Sequence, residues 1–192
     1  MNMKPQSRVL GIDDAPFKFG DEKTSAVCVV VRIPSYMEAV IVDSVAVDGL
    51  DANEVILNLL RKSRYTENLS LVLIDGIALG GFNVIDIDLL HRELDIPVAT
   101  VTRDLPDIPA MVKALQKKFT DWERRAEVIS RNKLQRFHTR HKPLYVTYKG
   151  ISMSELREVI DLSTVRGALP EPLRIAHLIA TALAKGESHG RA

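Results

Sequence analysis

Cysteine is nearly absent: a single residue, Cys28, sits inside an apolar run, which excludes both a disulfide framework and a thiolate zinc cluster. Long hydrophobic stretches are missing as well. The longest apolar run, Ala26–Val31, falls far short of the roughly 18 residues a membrane span needs. The leading segment, Met1–Arg8, carries Lys4 and Arg8 with no apolar stretch behind them, so no secretory signal is expected. Nor is there an excess of one charge. Lys plus Arg number 26 against 25 Asp plus Glu, a net charge of +1, which excludes a histone-like basic protein and an acidic tail. A local basic patch remains compatible with that neutral total. With no repeat, low-complexity tract or linker, a soluble, cytoplasmic protein is the expectation.

What is present suits one globular domain spanning residues 1–192, with 46% hydrophobic and 27% charged residues. Arg8–Ile12 reads as a short strand stopping at Asp13-Asp14. Thr24–Ile33 and Tyr36–Val47 are Val-rich runs split by Pro34-Ser35, the pattern of a hairpin. The period then lengthens. Asp51 is placed to cap a helix to about Arg64, with Val55, Ile56, Leu59 and Leu60 on one face. Leu69–Ile74 is an apolar strand, Val84–Leu94 has helical spacing, and Pro97–Val101 is another strand. Helices are expected over Asp107–Phe119 and Asp121–Arg131, a short strand at Leu144–Tyr148, and a helix over Ser152–Leu162 capped by Ser152 or Ser154. A last helix, Pro170–Lys185, stops at Gly186, beyond which the tail is expected to be loose. The later strands do not alternate, which implies a sheet covered on both faces. The fold class is α/β: a mixed sheet of three antiparallel strands followed by parallel strands, flanked by helices.

Two of these strands end in aspartate, Ile12-Asp13 and Ile74-Asp75. Parallel neighbours would bring the two carboxylates to one sheet edge, where ligand sites of open α/β sheets collect. Carboxylates forced together repel unless a divalent cation joins them, and oxygen donors suit Mg²⁺ or Mn²⁺. Asp48, in Val47-Asp48-Gly49, is placed to join them. Such a cation orients water and stabilises an in-line phosphoryl transition state. The structural alternative is equally concrete, since aspartate after a strand commonly caps a turn and Asp75-Gly76 is an ordinary turn dipeptide. Asp14, Asp43, Asp86 and Asp88 are weaker candidates, the last two being expected on a solvated helix face.

Basic residues concentrate in Arg124, Arg125, Arg131, Lys133, Arg136, Arg140 and Lys142, interrupted by Glu123 and Glu127. The stretch is either a track for a phosphate backbone or a solvated helix and loop. Trp122 and Phe137 flank it, as base-stacking platforms or as anchors to the core. Gly80-Gly81-Phe82-Asn83 either offers backbone amides to a phosphate or supplies a turn with positive φ. It lacks the lysine of a P-loop and the third glycine of a dinucleotide fingerprint. His138 and His141, three residues apart without a nearby acid, read as surface residues, and His177 sits in an apolar helix beside Arg174.

Four segments together resemble the endonuclease V-like family called endonuclease dU: Gly11-Ile12-Asp13-Asp14; Val47-Asp48-Gly49-Leu50-Asp51-Ala52; Leu73-Ile74-Asp75-Gly76 leading to Gly80-Gly81-Phe82-Asn83-Val84; and Pro170-Glu171-Pro172-Leu173-Arg174-Ile175-Ala176-His177. The resemblance runs from about Arg8 to Ala192 and implies a ribonuclease H-like fold. It further implies metal-dependent cleavage of DNA near a deaminated base, deoxyuridine in this branch, as part of DNA repair. By the same resemblance Asp13 and Asp75 match the family's metal-binding aspartates, and His177 matches the histidine of its Pro-Glu-Pro-Thr-Arg-Leu-Ala-His segment. Arg174 would meet a site carboxylate or a DNA phosphate, or else pair with Glu171. The chain departs from endonuclease V in lacking the glutamate of a Phe-Arg-Glu-Gly-Pro segment, for which Asp48 is the substitute by order. It also lacks the Tyr-Pro-Tyr-Ile-Pro wedge. Expected catalytic residues are therefore Asp13, Asp48, Asp75 and His177, the three acids holding metal. Expected nucleic-acid contacts are Gly80, Gly81, Asn83, Arg124, Arg125, Arg131, Lys133, Arg136 and Arg174. The rival expectation is a nucleic-acid-binding protein that keeps the fold without the reaction. A sugar-kinase-like ATPase, suggested by Gly-Ile-Asp, fails because Ala15 stands where a glycine is needed and the chain is too short for two such domains.

Overall fold

Why these runs form one sheet is visible in the computed structural model, which describes residues 6–140 and 142–189. The chain opens with β1 (Arg8–Asp14), β2 (Lys23–Arg32) and β3 (Tyr36–Ala46), then α1 (Ala52–Arg61) and a single 3₁₀ turn at Thr66–Asn68. It continues through β4 (Leu69–Asp75), the two-residue strands β5 (Ala78–Leu79) and β6 (Asn83–Val84), α2 (Ile87–Leu94) and β7 (Val98–Thr102). The second half contains α3 (Ile108–Lys118), α4 (Trp122–Arg131), β8 (Gln135–Phe137), β9 (Leu144–Lys149), α5 (Met153–Ser163) and α6 (Glu171–Lys185).

Seven strands make the main sheet in the order β3-β2-β1-β4-β7-β9-β8. The first three pair antiparallel, and β1, β4 and β7 run parallel. Strand β9 pairs antiparallel with both β7 and β8, so β8, reached from β7 through α3 and α4, again runs in the direction of the parallel strands. The register pairs Ile12 with Ile74, so Asp13 and Asp75 emerge side by side from the same sheet edge.

Both faces of the sheet are covered. Leu10, Ile12, Cys28, Val72 and Ile74 pack against Ile56 and Leu60 of α1 and Leu90 of α2. On the other face Val9, Leu71, Leu73 and Val146 meet Leu156 and Ile160 of α5, while Val27, Val29 and Val31 meet Ala176 and Ala180 of α6. Burial on two sides is why β2 reads as an unbroken apolar run.

Local chemistry sets the helix ends. Ser152 and Glu155 form a reciprocal capping box, and Gly186 stops α6 with φ +80°. Two boundaries differ from expectation. Asp51 holds the N-cap position of α1, yet its carboxylate accepts from Ala46 N and Asn83 Nδ2 instead of capping. Helix α2 starts at Ile87 rather than Val84, because residues 78–84 form the β5–β6 hairpin and Asp86 accepts the amides of Asp88 and Leu89. Asp86 is thus a cap that also pairs with Arg131, and Asp88 pairs with Lys149.

Candidate functional site

Strand period and helix seating together assemble a compact cluster at the carboxyl ends of β1 and β4. Side chains alternate along β1, so Ile12 enters the core on the α1 face while Asp13 points to the α6 face. Helix α6 lies directly on β1 because residue 11 is glycine: a Cβ there would stand 2.2 Å from the carbonyl carbon and oxygen of Pro172. The close seating carries His177 over the strand end. Its Nδ1 donates to Asp13 Oδ2 at 2.8 Å, and ligand atoms of Asp13, Asp75 and His177 all lie within 4.8 Å of one another.

The electrostatics of this cluster suit a cation. Burial, and secondarily the charge of Asp13, pushes Asp75 up to about 7; Arg103 and His177 work against the rise. The imidazole of His177 is shifted upward, chiefly by its hydrogen bond to Asp13. A pair of crowded carboxylates beside an imidazole is a donor set suited to a hard divalent cation such as Mg²⁺ or Mn²⁺, which removes the repulsion that otherwise favours protonation.

Asp48 is not gathered into this group among the described residues, contrary to the expectation that it completes the acid triad. It sits at φ +58° just after β3, its Oδ1 accepts the Phe82 amide at 2.9 Å, and its own amide donates to Gly80 O at 2.7 Å. Gly80 and Gly81 both have positive φ, and a Cβ on Gly81 would come within 2.4 Å of Asp48 Oδ1. The glycines therefore let the β5–β6 turn close on Asp48. Asp14, a weak candidate by sequence, accepts the Gly80 amide at 3.0 Å from the opposite side, and burial raises its carboxyl to about 6.

Two expected nucleic-acid contacts are structural instead. Asn83 is completely buried: its Oδ1 accepts from Ala52 N, and its Nδ2 donates to Ala46 O and Asp51 Oδ1. Arg125 is 5% exposed and donates through Nη1 to three backbone carbonyls, those of Asp48, Gly49 and Phe82. Its Nε pairs with Asp121, and its guanidinium lies 4.2 Å from the centre of the Phe119 ring. Phe137 is likewise fully buried, and Trp122 packs with α3 and α4. Arg124, Arg131, Lys133, Arg136 and Arg140 are exposed, Arg131 pairing with Asp86 and Arg140 with Asp161. Arg174 makes a two-point ion pair with the buried carboxylate of Glu171, both distances 2.7 Å, so it does not meet a site carboxylate. His138 is exposed, and His141 lies outside the described residues. Sequence reasoning missed Arg103, whose only signal was its place just beyond the third parallel strand.

A mixed sheet of three antiparallel strands continued by parallel strands and covered by helices on both faces has the ribonuclease H-like fold. The chain belongs to the endonuclease dU family, whose pattern matches residues 5–184. A UPF0215 protein of Methanosarcina barkeri is 42% identical over 192 residues, covering all of this chain and 97% of its own. A protein of unknown function from Archaeoglobus fulgidus has a similar crystal structure, with TM-score 0.82 and 33% identity, covering 92% of this chain and 97% of its own. Endonuclease V of Ciona intestinalis, solved with a DNA containing an inosine, superposes with TM-score 0.59 at 16% identity, covering 88% and 82% of the two chains. That last likeness is one of fold. No described helix is long and apolar enough to cross a membrane.

Proposed function

We propose that this protein is a divalent-metal-dependent endonuclease that hydrolyses a DNA phosphodiester near a deaminated base, deoxyuridine being the first candidate, in cytoplasmic DNA repair. The observation carrying this reading is the grouping of Asp13, Asp75 and His177 within 4.8 Å in a chain of the endonuclease dU family. Asp13 and Asp75 would hold Mg²⁺ or Mn²⁺ by their carboxylate oxygens. A cation held there lowers the pKa of water and offsets phosphate charge. Asp13 fixes the His177 ring through Nδ1, leaving Nε2 to hold or pass a proton at the scissile phosphate. Asp48 contributes by ordering the Gly80–Phe82 turn, whose main chain would border the extruded base. Arg124, Lys133 and Arg136, exposed on one stretch of chain, would follow the phosphate backbone.

The loss of Asp48 from the acid cluster favours one second reading, a nucleic-acid-binding protein without the reaction. End-labelled oligonucleotides carrying deoxyuridine, deoxyinosine, a ribonucleotide or no lesion, incubated with Mg²⁺, Mn²⁺ or EDTA, decide between them. Cleavage at one lesion that vanishes in EDTA and in Asp75→Asn supports the nuclease. Intact binding with no cleavage in any lane replaces it with the silent binder.

A further inference from the structure

The two edges of the main sheet are built differently. Strand β8 closes one edge with three residues, Gln135–Phe137, its central Arg136 and the nearby Lys133 both exposed, the short and charged edge that discourages pairing. Strand β3 forms the other edge over eleven residues, Tyr36–Ala46, with no Lys, Arg, Pro or Gly anywhere in it. Four of its side chains are large, apolar and exposed: Tyr36 at 68%, Met37 at 47%, Val40 at 39% and Val42 at 48%. Its Glu38 is the extra residue of a bulge and is held by Arg8 and Arg32, which leaves Ala39 to Asp43 as regular open edge; beyond it the Ser44 amide donates to Asp43 Oδ1, and Ala46 is bonded through N to Asp51 and through O to Asn83. Beside that edge runs a groove of about 470 Å³ floored by Ala39, Val40 and Ile41 and walled by the end of α1 at Leu59 and Lys62.

We propose that this edge pairs with β3 of a second copy of the chain, antiparallel, joining the two seven-stranded sheets into one. Charge selects that occupant. Asp43 and Lys62 both line the groove; Asp43 lies three residues before the end of β3, where Asp51 at the start of α1 is bonded to Ala46, and Lys62 stands at the other end of α1. A two-fold axis perpendicular to the sheet at Ile41 keeps each face of the sheet continuous. It sets Val40 opposite Val42 of the second copy, giving one apolar stripe. It also sets Asp43 opposite Ala39 of the second copy, whose groove is walled by Lys62. Acid thus meets base twice, once in each half, and the main-chain groups of both edges gain partners.

Sedimentation velocity over about 1–100 µM tests this with the full chain, alongside circular dichroism of every variant. The wild type is expected to sediment as a dimer that dissociates on dilution. Val42→Lys is expected to be monomeric with an unchanged spectrum, and Val42→Thr to weaken the dimer while keeping the strand. Asp43→Lys and Lys62→Asp should each weaken association at least tenfold, and the double variant should recover most of the loss. A wild type monomeric at every concentration overturns the proposal and leaves the edge to a strand from another protein. A dimer that survives Val42→Lys, or charge reversals that do not rescue each other, overturns the β3 pairing and its register.

Discussion

Substituting Gly11 by alanine tests whether the seating of α6 on β1 assembles the Asp13, Asp75 and His177 cluster. Gly11 is locked in the sheet, paired with Val29 of β2 and Leu73 of β4, so the strand has little freedom to retreat. Its new Cβ would meet Pro172 C and O at 2.2 Å and Leu173 N at 2.8 Å. Carbon contacts settle near 3.5 Å, so the first turn of α6 must rise by more than about 1 Å. All three obstructing atoms are backbone, which removes the cheap escape of a side-chain rotation. Overpacking of this kind costs roughly 1–3 kcal/mol, and here the upper end applies. For a domain of this size that is a fall in Tm of about 5–10 °C. His177, five residues beyond Pro172, moves with the helix, and the 2.8 Å bond to Asp13 opens beyond hydrogen-bond range. Losing that orientation should weaken Mn²⁺ binding about tenfold or more. Differential scanning fluorimetry in EDTA and calorimetric titration with Mn²⁺ read the two effects separately. A variant with wild-type Tm and wild-type Mn²⁺ affinity would refute the account of how α6 is placed.

The metal-free protein is expected to lose stability as pH rises from about 4 to about 8. Asp75, raised to about 7, and Asp14, raised to about 6, keep protons that the unfolded chain has released above its ordinary aspartate pKa, so their protonated forms favour the fold at low pH. His177, raised by its bond to Asp13, adds stability that fades as pH passes its elevated pKa, in the same direction. Melting in EDTA across this range checks the sign: millimolar Mn²⁺ should restore more at pH 8 than at pH 5, and a Tm that climbs with pH would contradict the reasoning. Asp75→Asn should flatten part of the slope and abolish the saturable Mn²⁺ heat. Arg125→Met strands three backbone carbonyls and the Asp121 carboxylate, a loss of about 3–5 kcal/mol visible in urea unfolding. Its neighbour in sequence should behave oppositely: Arg124→Glu leaves stability within about 0.5 kcal/mol but weakens oligonucleotide binding and its salt dependence.

That contrast shows where sequence reasoning stops. Arg124 and Arg125 are equivalent as letters in a basic run, and helix phase alone separates them. Arg125 lies one turn from Trp122 and Ile129, the apolar stripe of α4, so the phase was readable. Its three acceptors were not, because they come from turns 40 and more residues away. The same holds for Asn83, whose amide bonds span the gap to Ala46, Asp51 and Ala52. Apolar runs marked the central strands well, since burial on both faces demands them. The three-residue β8 and the two-residue β5 and β6 carry too few side chains for any period to register.

The Gly11-Ile12-Asp13-Asp14 stretch shows how much a strand period alone determines once the neighbours are known. Odd positions face α6: Gly11 admits the helix backbone and Asp13 meets the histidine that the helix brings. Even positions face the other layer: Ile12 fills the core under α1, and Asp14 pins the Gly80 amide. Adjacent aspartates of identical chemistry thus receive different surroundings, one beside Asp75 and His177 and one in the turn next to them. Asp75 joins Asp13 because the parallel register places it abreast on the same face. Asp48 does not, because it leaves β3 two strands away and turns back on Phe82. Membership in the cluster is therefore decided by strand adjacency and side-chain parity, and an acid that merely ends a strand does not join it.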